Sequence, residues 1–304
     1  MRALAARSVL ANLTRSMPPT FLLTIDVEDY FQVENLRPVF PLSTWNEQKF
    51  RVETNTYRLL DLFDSFQIQI KATFFILGWL AQRLPNMVRE IQKRGHEIAS
   101  HGFSHLLCDQ MADNDFIKDL ETSKKLLEDI TGIQVDGYRA PSFSISDQAL
   151  TLIARSGYKY DSSYNSFEKH GRYGRISLKG HPKKEIAINW NSTIYELPIS
   201  NMDLLGQVFP WGGGGYFRLL PFTFFRHGIR RILGTTDAYL FYMHPWEIDP
   251  GQPRIRQAKG LSAWRHYLNL DKTYRRIVKM ISDFRHCDFL TCSQYLMRKV
   301  TWLS

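Results

Sequence analysis

The stretch "FLLTIDVEDYFQV", Phe21 to Val33, decides how the rest of the chain is read. Phe21 to Ile25 is short, apolar and ends in β-branched residues, as a buried strand should. It runs straight into three carboxylates, Asp26, Glu28 and Asp29. Acidic side chains are poor strand formers and costly to bury unless paired or bound to a metal. Taken alone, the stretch also fits a strand that ends in a solvated turn. What separates the two readings is what the fold delivers to the same place.

Outward from this strand, the pattern alternates. "NTYRLLDLFDSFQ" sets Leu59, Leu60, Leu62 and Phe63 at helical spacing, and "KATFFILG" is a second buried strand closed by Gly78. "LAQRLPNMVREIQKRG" predicts a helix broken at Pro85 and capped by Gly95. "HEIASHG" is a short third strand, and "DFIKDLETSKKLLEDITG" an amphipathic helix ending at Gly132. "VDGYRAP" reads as a strand end. "SDQALTLIARSGY" reads as a helix with Ser146 as N-cap and Gly157 as its stop, before the strand and turn "YKYDSS". Strand, helix, strand, helix predicts an α/β fold with a parallel sheet and covering helices. In such folds chemistry gathers at the C-terminal ends of the strands.

From about Asn165 to Pro210 the pattern becomes hairpin-like, an insertion of β-branched and polar residues. The four glycines of "WGGGGYFRLLP" are expected outside the core, in a loop where backbone can approach a ligand. They lack the Lys-Ser/Thr ending of a phosphate loop. "FTFFRHGIRRILG" predicts a helix, "AYLFYMHP" a strand and "DKTYRRIVKMISDF" a long helix. No repeat or low-complexity linker divides the chain, so residues 17–304 read as one domain. Residues 1–16 read as a loose N-terminal extension, with Met17 an alternative start.

Composition narrows the function. Hydrophobic residues make up 44% of 304, enough for a sizeable core, and most of the aromatics are expected there. Net charge is +9, but the cations are scattered, with no zinc-finger spacing and no RNP-like segment, so nucleic acid is not an expected partner. Cys108, Cys287 and Cys292 have no CxxC spacing, which predicts no disulfide framework and a reducing compartment. The first residues make a poor signal peptide, because Ser and Asn interrupt the apolar stretch. No window of about 18 apolar residues exists, so no membrane-spanning helix is expected. These features predict a cytoplasmic protein; its oligomeric state is left open.

The other strand ends also carry chemistry. "SHGFSHLLC" spaces His101 and His105 four apart; on a helical turn both imidazoles would share a face within reach of one metal ion. Two surface or capping histidines is the plainer reading. Two His and one carboxylate suit zinc and leave positions open for water. "GYRAPSFS" supplies Arg139, which beside a buried carboxylate would keep it ionised and oriented. "LFYMHPWEID" places His244 after an apolar strand, where it could act as a general acid. Each has a bland reading alone; their ordered arrival on successive strand ends does not.

The ordered set "TIDVED", "SHGFSH", "RAPSFS", "DSS" and "FYMHP" resembles the five motifs of carbohydrate esterase family 4, the polysaccharide deacetylase superfamily or NodB homology domain, over about residues 20–250. "GGGGYFRLLP" and "RHYLNLDKTYRRI" resemble the subgroup found with exosortase and PEP-CTERM exopolysaccharide systems, which makes the region from about 251 a C-terminal extension. The resemblance implies a distorted (β/α)7-type barrel and a bacterial, metal-dependent enzyme, cytoplasmic or peripheral to the inner membrane. The reaction would remove N-acetyl groups from a polysaccharide containing N-acetylhexosamine. Zinc is the metal expected first, although iron, cobalt or nickel suit the same donors.

Residue by residue, the resemblance implies Asp26 as general base, His101 and His105 as metal ligands, and Arg139 as the residue positioning the base. Ser142 falls where a backbone N–H helps hold the oxyanion, with Pro141, Phe143 and Trp246 about the substrate. Asp161 matches the fourth-motif acid, expected to hold His244, the general acid. The first motif departs from the usual adjacent aspartates, since Val27 intervenes. Asp26 and Glu28 are two apart and share one face of an extended strand, which favours Glu28 as metal carboxylate. If the strand stopped at Asp26, Asp29 could reach instead. Two other functions remain open: a C–N hydrolase of a small amide or ureide, and a carbohydrate-binding protein without catalysis.

Overall fold

The strand that opens the chain, β1 (Thr20–Val27), is buried along its whole length because it lies inside a sheet. The computed structural model describes residues 17–167, 171, 173–257 and 260–300; the extension expected at 1–16 lies outside them. After β1 come α1 (Val52–Asp64), β2 (Ala72–Ile76), α2 (Gly78–Arg83), α3 (Pro85–Lys93), β3 (Glu97–Ser100), α4 (Asp113–Thr131), β4 (Gly137–Tyr138), α5 (Asp147–Arg155) and β5 (Tyr160–Asp161). Short strands β6 (Lys183–Lys184), β7 (Ala187–Asn189) and β8 (Tyr195–Glu196) follow, then a hairpin of β9 (Asn201–Leu204) and β10 (Gln207–Pro210). The chain continues through α6 (Gly214–Leu219), α7 (Phe222–Leu233), β11 (Ala238–Met243), α8 (Gly260–Tyr267), α9 (Leu270–Asp283), β12 (Asp288–Phe289) and α10 (Cys292–Lys299).

Seven strands run parallel in the order β11-β1-β2-β3-β4-β5-β8, curling towards a barrel. β7 and β6 add antiparallel pairings beyond β8, and β12 pairs the start of β1. The two ends of the curl meet where Leu240 N–H donates to Ser200 Oγ at 2.8 Å. Local signals place the helices as expected: Ser146 Oγ caps α5 by accepting from Ala149 N–H, Gly132 ends α4 at φ +71°, and Pro85 opens α3 one residue after α2 closes.

The period of two along β1 sorts its side chains. Phe21, Leu23, Ile25 and Val27 face the covering helices, whereas Leu22 joins Phe75, Ala99 and Leu240 in a second cluster within the curl. Each fully buried side chain of this size contributes about 1.5–3 kcal/mol. Helix α10 closes the lower mouth. Cys292, Tyr295 and Leu296 sit in the inner cluster, Cys292 N–H donates to Thr73 Oγ1 at 2.9 Å, and Tyr295 OH meets Asp237 at 3.0 Å. The row Leu22, Thr24, Asp26 therefore climbs from an apolar floor to a polar upper mouth. All three cysteines are free and buried, and no described helix is long and apolar enough to cross a membrane.

The glycine run corrects the reading made from sequence. Gly212, Gly213 and Gly214 are buried, and α6 begins at Gly214. They are inside because they have no side chain. A Cβ at Gly213 would lie 2.6 Å from the Tyr242 hydroxyl, and one at Gly214 would lie 2.3 Å from Glu247 Oε1. The run lets backbone press against β11 and the turn that follows it.

Candidate active site

Asp26, at the upper end of β1, meets Arg139 just beyond β4. Arg139 Nη1 donates to Asp26 Oδ1 at 2.7 Å and to Thr24 Oγ1 at 2.8 Å. Its Nε and Nη2 donate to Ser162 O and Oγ, each at 2.8 Å, and its guanidinium lies 4.1 Å from the Phe75 ring. Arg139 is wholly buried. Such a pair is tolerable only when its remaining donors are satisfied, as these are.

One residue past the end of β1, Glu28 Oε1 lies 3.0 Å from His101 Nε2 and 3.0 Å from His105 Nε2. The three ligand atoms fall within 4.8 Å of one another, all buried. Burial works to raise the Glu28 pKa, but His105, His244 and His101 outweigh it and hold the carboxyl well below its ordinary value. His101 Nδ1 is 2.7 Å from Arg139 O, a carbonyl that can only accept, so the ring proton belongs on Nδ1. With Nδ1 so engaged, Nε2 is the ring atom left facing Glu28 Oε1, and the two atoms lie where one cation could be shared between them. The donor set thus fits a divalent metal. The two histidines do not share a helix as the spacing suggested. His101 follows β3, and His105 lies within the loop after it at φ +54°, its carbonyl accepting from Arg37.

Asp29 lies apart from this group. Because β1 stays extended through Val27, residues 26 and 28 turn to one side and Asp29 to the other. Its carboxylate accepts from Tyr30 N–H, Arg51 N–H and Val52 N–H, at 2.8, 2.6 and 2.9 Å, and so ties the turn after β1 to the start of α1. The alternative of Asp29 as metal ligand is therefore withdrawn.

His244 follows β11, the strand beside β1. Its Nε2 is 3.7 Å from Glu28 Oε1, and 19% of its side chain is exposed, enough to meet a ligand. The expected partner, Asp161, is elsewhere. Asp161 accepts from Ser163 N–H and Oγ at 3.0 and 2.7 Å and is paired with buried Glu196; burial raises both acids. Glu247 takes the place expected of Asp161. His244 Nδ1 donates to Glu247 Oε1 at 2.9 Å, and Glu247 Oε2 accepts from Arg218 Nε at 2.7 Å. Arg218 also donates to the carbonyls of Arg265, His266 and Leu268. Burial would lower the His244 pKa, but the carboxylates of Glu28 and Glu247 push it up to about 9. A cation bound at Glu28 would offset that carboxylate's share and leave the share of Glu247. Burial would raise Glu247; Arg218 and His244 bring it down to about 2.

Glu247 and Arg218 were missed from the sequence. Glu247 had a local signal, since "HPWE" forms a capping box in which Glu247 also accepts from His244 N–H at 3.0 Å. Arg218 had none.

Asp26, Glu28, His101, His105 and His244 line one cavity of about 230 Å³. Ser142 and Phe143 form part of its wall at φ +52° and +59°; such left-handed backbone costs about 1–2 kcal/mol per residue. Phe143 is held there by Tyr242 and Tyr173, with ring centroids at 4.7 and 5.3 Å. Pro141 is buried in the same turn behind the wall. Trp246 lines the cavity and stacks on His266 at 4.3 Å.

Residues 42–160 match the family model described as polysaccharide deacetylase, and residues 162–296 match a domain of unknown function, DUF3473. Over residues 42–160 the chain is thus similar to the polysaccharide deacetylase class of proteins, and the fold agrees with that likeness. Within that class it is similar to the peptidoglycan deacetylase-like protein FGM2 of Gibberella zeae, 32% identical over 42% of this chain and 38% of that one. It is also similar to a peptidoglycan-N-acetylglucosamine deacetylase of Bacillus cereus, 31% identical over 35% of this chain and 48% of that one. The matches thus span under half the length of these relatives. Among solved structures, a Mycobacterium smegmatis protein assigned as a polysaccharide deacetylase shares the fold at a TM-score of 0.62, with 19% identity, covering 95% of this chain and 92% of that one. Puue allantoinase shares it at 0.56, with 13% identity, covering 93% and 92%. The sheet crosses the boundary between the two matched regions, since β1 pairs with both β2 and β11.

Proposed function

We propose that this chain is a metal-dependent N-deacetylase of an amino-sugar polymer. The observation that carries the reading is convergence on one cavity of a metal-type donor set, an arginine-held aspartate and a carboxylate-held histidine. The names of the relatives favour a peptidoglycan-like or other acetylated glycan. The motif resemblance favours a bacterial exopolysaccharide of the exosortase/PEP-CTERM kind.

Glu28, His101 and His105 would hold the ion, zinc suiting two nitrogens and one oxygen best. When bound, a divalent cation polarises an amide carbonyl and makes a nucleophile of water near neutral pH. Asp26, aimed by Arg139, accepts the proton that the attacking water loses. The turn at Ser142 offers backbone N–H to the oxygen on which charge develops. His244, protonated and fixed through Nδ1 by Glu247, donates from Nε2 to the departing nitrogen. Water and an acetamide are consumed; acetate and a free amine are formed. Trp246, stacked between His244 and His266, would meet the sugar with its ring edge.

The test is metal analysis coupled to acetate release from a panel of N-acetylhexosamine oligomers. Acetate release that a chelator abolishes and zinc restores is the expected result. Metal-loaded protein that frees no acetate from any oligomer overturns the reading; ammonia released from a small ureide would replace it with the small-amide hydrolase.

A further inference from the structure

One surface beside the cavity has a composition that the reaction does not use. From Pro250 to Leu270 the sequence carries four cations, Arg254, Arg256, Lys259 and Arg265, and no acid. Arg254, Arg256, Trp264 and Tyr267 line an open groove there. Leu268 lines both this groove and the catalytic cavity, so the two are contiguous. Trp264, on α8, is 52% exposed, a large apolar surface left in water. Tyr267 is rigidly set: its hydroxyl accepts from Ile255 N–H and donates to Pro253 O, both at 3.0 Å. Arg254 stacks 4.4 Å from the Tyr267 ring. Stacking fixes the plane of a guanidinium and leaves its edge N–H groups for a planar anion. Among the described residues, no carboxylate pairs with Arg254 or Arg256.

We propose that this groove is a second glycan subsite, which takes a carboxylate-bearing sugar of the same polymer whose acetamido sugar occupies the catalytic cavity. The inference rests on the reading of the ligand as a glycan. Trp264 offers its ring to the C–H face of a pyranose. Arg254 and Arg256 supply the charge that a neutral polymer would leave unmatched. The preferred substrate is thus an acidic heteropolymer, in which uronate-type sugars lie near the acetylated ones. The groove belongs to the region of residues 162–296, so it separates this chain from deacetylases that lack that region.

The test uses two probes with the same acetamido sugar: an octamer of hyaluronan, with glucuronate at alternate positions, and a chitin hexamer, with none. Affinities are measured by calorimetry on the metal-loaded Asp26→Asn chain, so that neither probe is consumed. Hyaluronan is expected to bind about 10-fold tighter. Adding Arg254→Ala and Arg256→Ala should erase that preference, and added salt should weaken it. Adding Trp264→Ala should weaken both probes, while each groove substitution in the wild-type background leaves acetate release from an N-acetylglucosamine dimer unchanged. Equal affinity for the probes, no binding of either, or an Arg pair whose removal changes nothing overturns the subsite. Failure of the catalytic reading would look different: hyaluronan preference intact, with no acetate from any oligomer.

Discussion

Two buried arginine–carboxylate pairs flank the cavity, and they differ in what the carboxylate is left to do. Arg139–Asp26 and Arg218–Glu247 both close at 2.7 Å, and all four side chains are buried. Asp26 is engaged by Arg139 through Oδ1 and lines the cavity. Glu247 uses Oε2 for Arg218 and Oε1 for His244, both its ring and its backbone N–H. In the proposed reaction one pair presents a base and the other holds an acid. Similar burial and contact distance thus serve different purposes, because a second partner either claims the free oxygen or does not.

The comparison breaks most visibly at the residues that would move protons. Asp26→Asn keeps an acceptor for Arg139, and His244→Ala removes only the ring; each should lower turnover about 10²–10⁴-fold with metal content intact. Wild-type acetate release in either purified variant would remove the role assigned to that side. Removing either arginine strands a buried carboxylate, so Arg139→Ala and Arg218→Ala should each cost about 3–5 kcal/mol in denaturant unfolding. A loss within 0.5 kcal/mol, the size of a surface change, would show that the pair in question is structurally idle.

Glu247→Gln separates holding from stability. The His244 pKa is raised, so the protonated acid is present below that pKa and is lost as pH rises through it. Taking away one of the raising carboxylates should move the alkaline limb of kcat to lower pH. Asp161→Asn should leave that limb in place, since Asp161 faces Ser163 and Glu196 instead. An unmoved limb in Glu247→Gln argues against the pairing. The mildest change is Gly214→Ala, whose methyl would crowd Glu247 from 2.3 Å; it should cost about 1–3 kcal/mol and shift the limb in the same direction as Glu247→Gln.

The two pairs also differ in how far the sequence discloses them. β1, the strand–helix alternation and the placement of Asp26, His101, Arg139 and His244 at strand ends follow from apolar runs with chemistry at their ends. Glu28 rather than Asp29 follows from the period of two in a strand that stays extended. The partner of His244 does not follow from any run. Glu247 lies in a short turn, and Arg218 reaches it from α6, 29 residues earlier. The buried glycines were hidden for a related reason: their burial depends on Tyr242 and Glu247 packing against bare backbone. Periodicity reports an element's own faces, and these contacts lie between elements.

The position of β1 also sets an order of events during synthesis. Among the described strands it is made first, yet Thr24 Oγ1 donates to Phe241 O, a residue 217 positions later. A ribosome adding about 5–20 residues per second leaves that edge without its neighbour for roughly 10–40 s. Throughout this interval "FLLTI" is an open apolar strand, the kind that pairs with another copy of itself. The acids that follow it are already present and repel a like segment from a neighbouring nascent chain. The charges around which the finished site is built therefore guard the strand before there is a site to build.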